Sequence, residues 1–343
     1  MNIFFIGSNY INSSSVRLME ELNKLGHHAG FTESFSLVGA VARETGIPLM
    51  DYYQQKIPIK LSNLWKLLPE KKNDIEIRKD IDVLFVEQNG FTFINDEEHP
   101  VIYYHRDTPS EMFMKDMDCL LYRFKIMETV LDQQYPKIWN NGISKFQYFN
   151  GVNMDEFEHS EPKFYKGINW IGTAKGWHHY FTYANQAEYY KYPRIIEEWA
   201  RDEDLIRNHG HGHDYPTAKK LMQRSEAVLI LPGKKSYVTR KIYEAAASNV
   251  LIVLWVQDDM GLEVYNKLGL IDGYNCIMFK TKEELREISE NFDKYNNKDK
   301  IIKRAFKWVK HNHTWKHRAQ ELLNICKNIQ KKEVKKWQEL RNR

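Results

Sequence analysis

Thr239, Arg240, Lys241 and Glu244 stand close together in the stretch "YVTRKIYEAAASNVLIVLW", Tyr237–Trp255. A hydroxyl, two cations and a carboxylate within six residues can do two kinds of work. If a helix begins near Thr239, its hydroxyl can cap the first turn. The helix N-terminus then offers free N–H groups and the positive end of the dipole, a good seat for phosphate. Arg240 and Lys241 add full positive charge at that end. Glu244 comes one turn further in, and a carboxylate can accept from both hydroxyls of a ribose. Ala245, Ala246, Ala247 and Ser248 carry little bulk, so the helix can lie close to its neighbours. All of this fits a nucleotide site. It fits equally an ordinary surface helix, with Arg240 and Glu244 as an i,i+4 ion pair and the alanines chosen for propensity.

Other residues invite chemistry less specifically. Asp107, in "VIYYHRDTP", follows a strand candidate, sits beside Arg106 and precedes Pro109. That is a fair position for a general base, and also for a cap on the segment "SEMFMKDM". "HGHGHD", His209–Asp214, has histidines at alternate positions, which converge on one ion only if the glycines make the backbone irregular. His178 and His179 follow Lys175 closely and are candidates for sugar or phosphate contacts. Tyr and Trp, 20 and 9 of them, make good platforms for sugars and bases but mostly serve cores.

The elements around these residues alternate. Asn2–Gly7 reads as a short buried strand. A polar loop follows, then a helix with Val16, Met19, Leu22 and Leu25 on one face, ended by Gly26. Further strands are expected at Val83–Val86, Val101–Tyr104 and Phe146–Phe149. Asn150–Gly167, with turn residues, charges and a Pro, reads as a linker. After it come strands at Asn169–Ile171, Leu205–His209, "EAVLILPG" and Val250–Val256. Helices are expected at "YPRIIEEWARD", "YPTAKKLMQRS" and "TKEELREISENF", the last with a Thr281/Glu284 capping box. The final 40 or so residues read as helical. Strand and helix in alternation mean an α/β fold with parallel sheets, whose ligands sit beyond the carboxyl ends of the strands.

Composition sets the outer limits. A chain of 343 residues, 42% hydrophobic, is long enough for two domains. Net charge is +4, but Ile301–Arg343 holds 13 Lys/Arg against 3 Asp/Glu, so the other 300 residues carry −6. The basic end either faces an acidic partner or is a solvated helix face. Cys119, Cys276 and Cys326 form no CxxC pair and no disulfide framework, which fits a reducing compartment. "MNIFFIG" is too short for a signal peptide, and no apolar run is long enough to span a membrane. A soluble, cytoplasmic protein is expected.

The opening stretch resembles the donor-site segment of GT-B glycosyltransferases. In that family a Glu near a helix start holds the ribose of a nucleotide diphosphate sugar, and a basic residue three positions earlier holds the pyrophosphate. Those positions here are Glu244 and Lys241. Many retaining members carry an acid eight positions before the Glu, where this chain has Ser236. "ELNKLGHHAGF", "NGVNMDEF" and "WIGTAKG" are similar to other segments of the superfamily in the same order. The last implies a phosphate contact from Lys175, with Gly172 allowing close backbone approach. "HNHTWKHRAQELL" resembles a helix of spore-protein-type (CgeB-like) glycosyltransferases. "TRKIYEAAAS", "GTAKG" and "KKEVKKWQEL" resemble segments of bacteriophage DNA β-glucosyltransferases, where an Asp after a Tyr-rich strand is the catalytic base. The counterpart is Asp107.

The resemblance implies two Rossmann-like domains facing a cleft. Residues 1–155 would form the acceptor-side domain and 156–316 the nucleotide-sugar domain, with a C-terminal helix, 317–343, crossing back to the first. It implies sugar transfer from a nucleotide diphosphate sugar, such as UDP-glucose, to an acceptor hydroxyl. Lys241, Lys175 and Arg240 would meet the diphosphate, Thr239 would cap the helix, and Asp107 would be the base of an inverting enzyme. Gly7, His178 and His211 are further candidate sugar or base contacts. No metal or other cofactor is expected beside the nucleotide sugar. The acceptor would be DNA bearing hydroxymethyl pyrimidines, or else a cell-envelope or spore saccharide or a protein. An inactive GT-B binding module is the non-enzymatic alternative.

Overall fold

The protein is described by a computed structural model covering residues 1–6, 14–31, 81–87, 101–105, 124–127, 144–147, 150–157, 161–172, 198–199, 205–210, 213–231, 238–256, 258–294 and 297–341. The chain divides into two compact units, Met1–Phe149 with Trp315–Arg343, and Asn150–Thr314.

The first unit is a parallel sheet with strand order β2-β1-β3-β4-β5-β6. Its strands are β1 (Asn2–Ile6), β2 (His28–Phe31), β3 (Val83–Glu87), β4 (Val101–His105), β5 (Phe124–Met127) and β6 (Ser144–Gln147). Helix α1 (Ser14–Lys24) links β1 to β2 and ends where Gly26 adopts φ +82°, as the left-handed stop requires. The short strand β2 is not legible in "HAGF". It is held by the Asn23 side chain, which accepts from Ala29 N–H at 2.8 Å and donates to Ala29 O at 3.0 Å. The strand expected at Phe146–Phe149 begins two residues earlier, at Ser144, and is described as far as Gln147. Its pairing with the four-residue β5, from Phe124↔Ser144 to Met127↔Gln147, sets that register.

The C-terminal helix, named α7 in chain order, spans Trp315–Arg341. Trp315, Ala319, Leu322 and Cys326 recur at helical spacing and share a core with Ile3, Phe5, Leu18, Leu22, Val83 and Phe85. The last helix of the chain therefore belongs to the first unit.

The second unit repeats the architecture. Its strands are β7 (Tyr165–Trp170), β8 (Ile206–Asn208), β9 (Ser225–Ile230), β10 (Leu251–Trp255) and β11 (Ile277–Phe279), parallel in the order β11-β10-β9-β7-β8. The helices are α2 (Tyr215–Gln223), α3 (Arg240–Ala247), α4 (Asp259–Leu268), α5 (Lys282–Glu290) and α6 (Lys298–Asn312). β10 is buried along its whole length, which explains its unbroken apolar run. Caps set the helix starts: Asp214 for α2, Thr239 for α3, Asp258 for α4, and the Thr281/Glu284 capping box for α5.

The first part of the stretch expected as a linker carries buried anchors. Val152 N–H donates to His313 O at 3.0 Å, Met154–Glu156 forms a 3-10 turn, and Phe157 is buried. The turn-forming polar residues hid three apolar anchors, Val152, Met154 and Phe157. β7 also begins four residues before the expected Asn169, at Tyr165.

Lys163, just before β7, clamps two helix ends. Its Nζ donates to Gln223 O at 2.6 Å, at the end of α2, and to Ser248 O at 3.2 Å, at the end of α3. Burial pulls this amine down to about 8 from 10.5. A folded-state value below the unfolded one means the unfolded chain binds more protons between these pH values. Wild-type stability relative to Lys163→Met should therefore rise as pH increases from about 8 to 10, read as the difference in urea midpoints. A gap that stays constant or narrows over that window would refute this.

Among the described residues no helix is long and apolar enough to cross a membrane. Cys276 and Cys326 are buried and unbridged; Cys119 lies outside the described residues.

Candidate nucleotide site

The strand order of the second unit reverses between β7 and β9, with β8 outside β7 and β10 outside β9. Neighbouring parallel strands whose connections depart to opposite sides leave a crevice beyond their carboxyl ends, where α/β folds bind ligands. The carboxyl end of β7 leads into Ile171 and Gly172, and the segment after β9 leads into α3.

Helix α3 starts as the sequence suggests. Thr239 is its N-cap, although its hydroxyl is a long 3.4 Å from Lys241 N–H. The small residues prove to be packing rather than propensity, since Ala245, Ala246 and Ala247 are all fully buried. Tyr243 stacks on Trp308 of α6 at 5.8 Å between ring centres and fixes the opposite face. The rotation of α3 is thereby set, and with it the directions of Arg240, Lys241 and Glu244.

Lys241 reaches back to the switch point. Its Nζ donates to the Ile171 carbonyl just beyond β7. Burial lowers its pKa, the nearby Arg240 charge lowers it further, and Glu244 opposes the shift. Lys241 and Gly172 are therefore brought together through Ile171.

Glu244 is only 8% exposed. Its Oε1 lies 2.8 Å from Arg240 Nε. The i,i+4 ion pair of the simpler reading is thus present. The contact is ionic rather than a well-directed hydrogen bond, because this buried Oε1 accepts none. A buried carboxylate oxygen with unused acceptor capacity is uncommon and calls for an explanation. The Arg240 guanidinium also lies over the Tyr215 ring, 5.3 Å from its centre. Tyr215 in turn donates from its hydroxyl to Glu156 Oε2 at 3.0 Å.

Gly172 is needed for a nearer reason than a phosphate. A Cβ there would fall 2.7 Å from Nε1 of the buried Trp170 indole. Its N–H donates to Gly210 O at 3.1 Å, and Gly210 has φ +77°. Gly172→Ala should cost about 1–3 kcal/mol by overpacking, measured as a lowered urea midpoint. Unchanged stability would mean the indole can move aside.

The histidine loop is anchored by Asn169, which is fully buried. Its Nδ2 donates to Tyr165 O, Gly167 O and Ala227 O, so its Oδ1 must accept from His209 Nε2, 2.9 Å away. This assigns the Nε2–H tautomer to His209, whose pKa is lowered first by burial and then by Arg207 and His213. His213 Nε2 donates to His209 O at 2.7 Å. Both Nε2 atoms are thus already hydrogen-bonded. Among the described residues no group of three or more His, Cys, Asp or Glu is placed to hold a metal.

Gly7, Asp107, Lys175, His178 and His211 lie outside the described residues. Sequence reasoning missed Tyr215, Glu156 and Asn169. Their partners lie 40 to 59 residues away in the chain, beyond any local pattern.

Residues 174–324 match a family model described as glycosyl transferase-like. No curated protein matches the sequence. The fold is similar to that of Anabaena HepE, solved in complex with UDP and glucose, with TM-score 0.58 and 12% identity, covering 96% of this chain and 100% of that one. It is also similar to sucrose-phosphate synthase from Thermosynechococcus elongatus, with TM-score 0.62 and 11% identity, covering 96% and 99%. The chain thus has the α/β fold of GT-B glycosyltransferases and carries a glycosyl transferase-like domain at residues 174–324.

Proposed function

We propose that this chain transfers a sugar from a UDP-linked donor to an acceptor hydroxyl. The observation that carries this is that Lys241, held on the Ile171 carbonyl, and a buried, incompletely satisfied Glu244 share the start of α3, beside the β7/β9 switch point. Lys241 and Arg240 stabilise the diphosphate charge that grows as the glycosidic bond breaks. Glu244 accepts from the ribose hydroxyls, and Thr239 shapes the helix start. The glycosyl transferase-like match over residues 174–324 supports sugar transfer as the reaction. HepE, solved with UDP, with UDP and glucose, and with UDP-glucose, supports uracil as the base. Lys175, with Gly172, joins the phosphate contacts, and Gly7, His178 and His211 the sugar and base contacts. Asp107 is the base that deprotonates the acceptor. The donor is the only small molecule the reaction needs.

For the acceptor we favour DNA with hydroxymethyl pyrimidines, because Ile301–Arg343 carries a local charge of +10. Binding to such a polyanion falls steeply with salt. A donor-hydrolysis screen across nucleotide sugars, with and without hydroxymethylated DNA, tests the whole reading. UDP release stimulated by that DNA and suppressed by salt is expected. Stimulation by saccharide or protein alone, insensitive to salt, would move the acceptor to that class. No release with any donor or acceptor would make the chain a binding module.

A further inference from the structure

Two segments without a role so far meet at one hydrogen bond. Glu156 belongs to "NGVNMDEF" and Tyr215 follows the histidine loop, yet the Tyr215 hydroxyl donates to Glu156 Oε2 at 3.0 Å. The ring between them carries the Arg240 guanidinium 5.3 Å from its centre, and Arg240 Nε lies 2.8 Å from Glu244 Oε1. Glu156, Tyr215, Arg240 and Glu244 therefore form one chain of contacts across three elements, the 3-10 turn, the first turn of α2 and the first turns of α3.

We infer that Tyr215 is a positioning residue for ribose recognition: its ring, anchored by Glu156, seats Arg240, and Arg240 holds the Glu244 carboxylate in place. This rests on the reading of Glu244 given above. The physical need is clear. Glu244 is buried one turn into α3, and its Oε1 accepts no hydrogen bond that would fix its orientation. Among the described residues the ion pair that reaches that oxygen comes from Arg240, and an arginine side chain has many rotamers. A planar ring against the guanidinium removes most of that freedom and leaves its edge N–H groups able to face a carboxylate. The ring is itself fixed at two points. Its backbone is in the first turn of α2, capped by Asp214 with Pro216 next in line, and its hydroxyl is tied to Glu156. Burial, together with the negative charges of Glu244 and Glu156, raises the Tyr215 pKa, so the hydroxyl remains a donor through the neutral range.

The vicinal hydroxyls of a ribose need a carboxylate held at a fixed angle, whereas the diphosphate does not. Tyr215 should therefore govern discrimination between UDP and 2′-deoxy-UDP more than affinity for UDP itself. Dissociation constants for both ligands can be measured by calorimetry on the full chain, with circular dichroism confirming the fold. Wild type should favour UDP by about tenfold or more, the scale of one lost charge-assisted hydrogen bond. Tyr215→Leu should bring the ratio close to one. Tyr215→Phe keeps the ring and loses the anchor, and should fall between the two. If Tyr215→Leu does not fold, Tyr215→Phe alone still decides, since a reduced ratio is required of it. Discrimination at the wild-type level in Tyr215→Phe would overturn the anchoring by Glu156, and in Tyr215→Leu the whole inference. Glu244→Ala separates the two levels. If it keeps the wild-type ratio, Glu244 does not hold the ribose. If it abolishes the ratio while Tyr215→Leu keeps it, Glu244 stands and only the positioning role falls.

Discussion

Lys241→Ala should lower the rate of sugar transfer by about 100- to 1,000-fold, the usual loss when one preorganised donor is removed from developing negative charge. The size of the effect follows from where the amine sits. It is anchored on the Ile171 carbonyl at the switch point, and burial has already depressed its pKa. A cation kept in a poorly solvated position is stabilised more by an arriving diphosphate than a solvated one would be. For the free enzyme, kcat/KM should also fall on the alkaline side earlier than an ordinary lysine would allow, because the depressed pKa releases the proton sooner. Removing the side chain also frees the Ile171 carbonyl, so a stability loss of about 1–3 kcal/mol is expected alongside. Single-turnover rates at a temperature well below the variant's melting point separate the two effects. A variant with a normal rate would remove Lys241 from the chemistry.

Asp107→Asn should reduce transfer by about 100- to 10,000-fold, the range for loss of a general base, and leave UDP binding unchanged. The amide keeps the shape of the carboxylate and cannot take the acceptor proton. The expected pattern is a fall in kcat with a nearly constant donor dissociation constant. Full activity would exclude Asp107 as base. A parallel loss of donor affinity would mean it serves the donor instead.

How much of this was legible in the sequence depended on distance along the chain. The Thr239 cap, the α3 start, the Thr281/Glu284 capping box and the Gly26 stop were all readable, because each is decided by residues within one helical turn. The two α/β layers were readable from alternating elements. The four-residue strands β2 and β5 were not, because "HAGF" and "FKIM" take their register from neighbouring strands. The buried anchors Val152, Met154 and Phe157 were not legible within the expected linker because turn residues outnumber them. At the site, the sequence left two readings of Arg240 and Glu244 open, and the structure shows that they are not exclusive. The ion pair exists, and the carboxylate oxygen it meets still accepts no hydrogen bond. Gly172 was assigned to phosphate approach, while the Trp170 indole gives a closer steric reason for it. The contacts of Tyr215 with Glu156 and of Asn169 with His209 join residues distant in sequence, which no spacing rule could anticipate.

The central claim is that a UDP-sugar is held at the start of α3. Calorimetric titration of UDP into wild type and into the Lys241→Ala/Glu244→Ala double variant tests it most directly. Binding by the wild type and a loss of about 100-fold or more in the double variant, with its circular dichroism spectrum unchanged, is the result expected for two charge-assisted contacts removed together. Equal affinity in a folded double variant would contradict the account and place the nucleotide elsewhere.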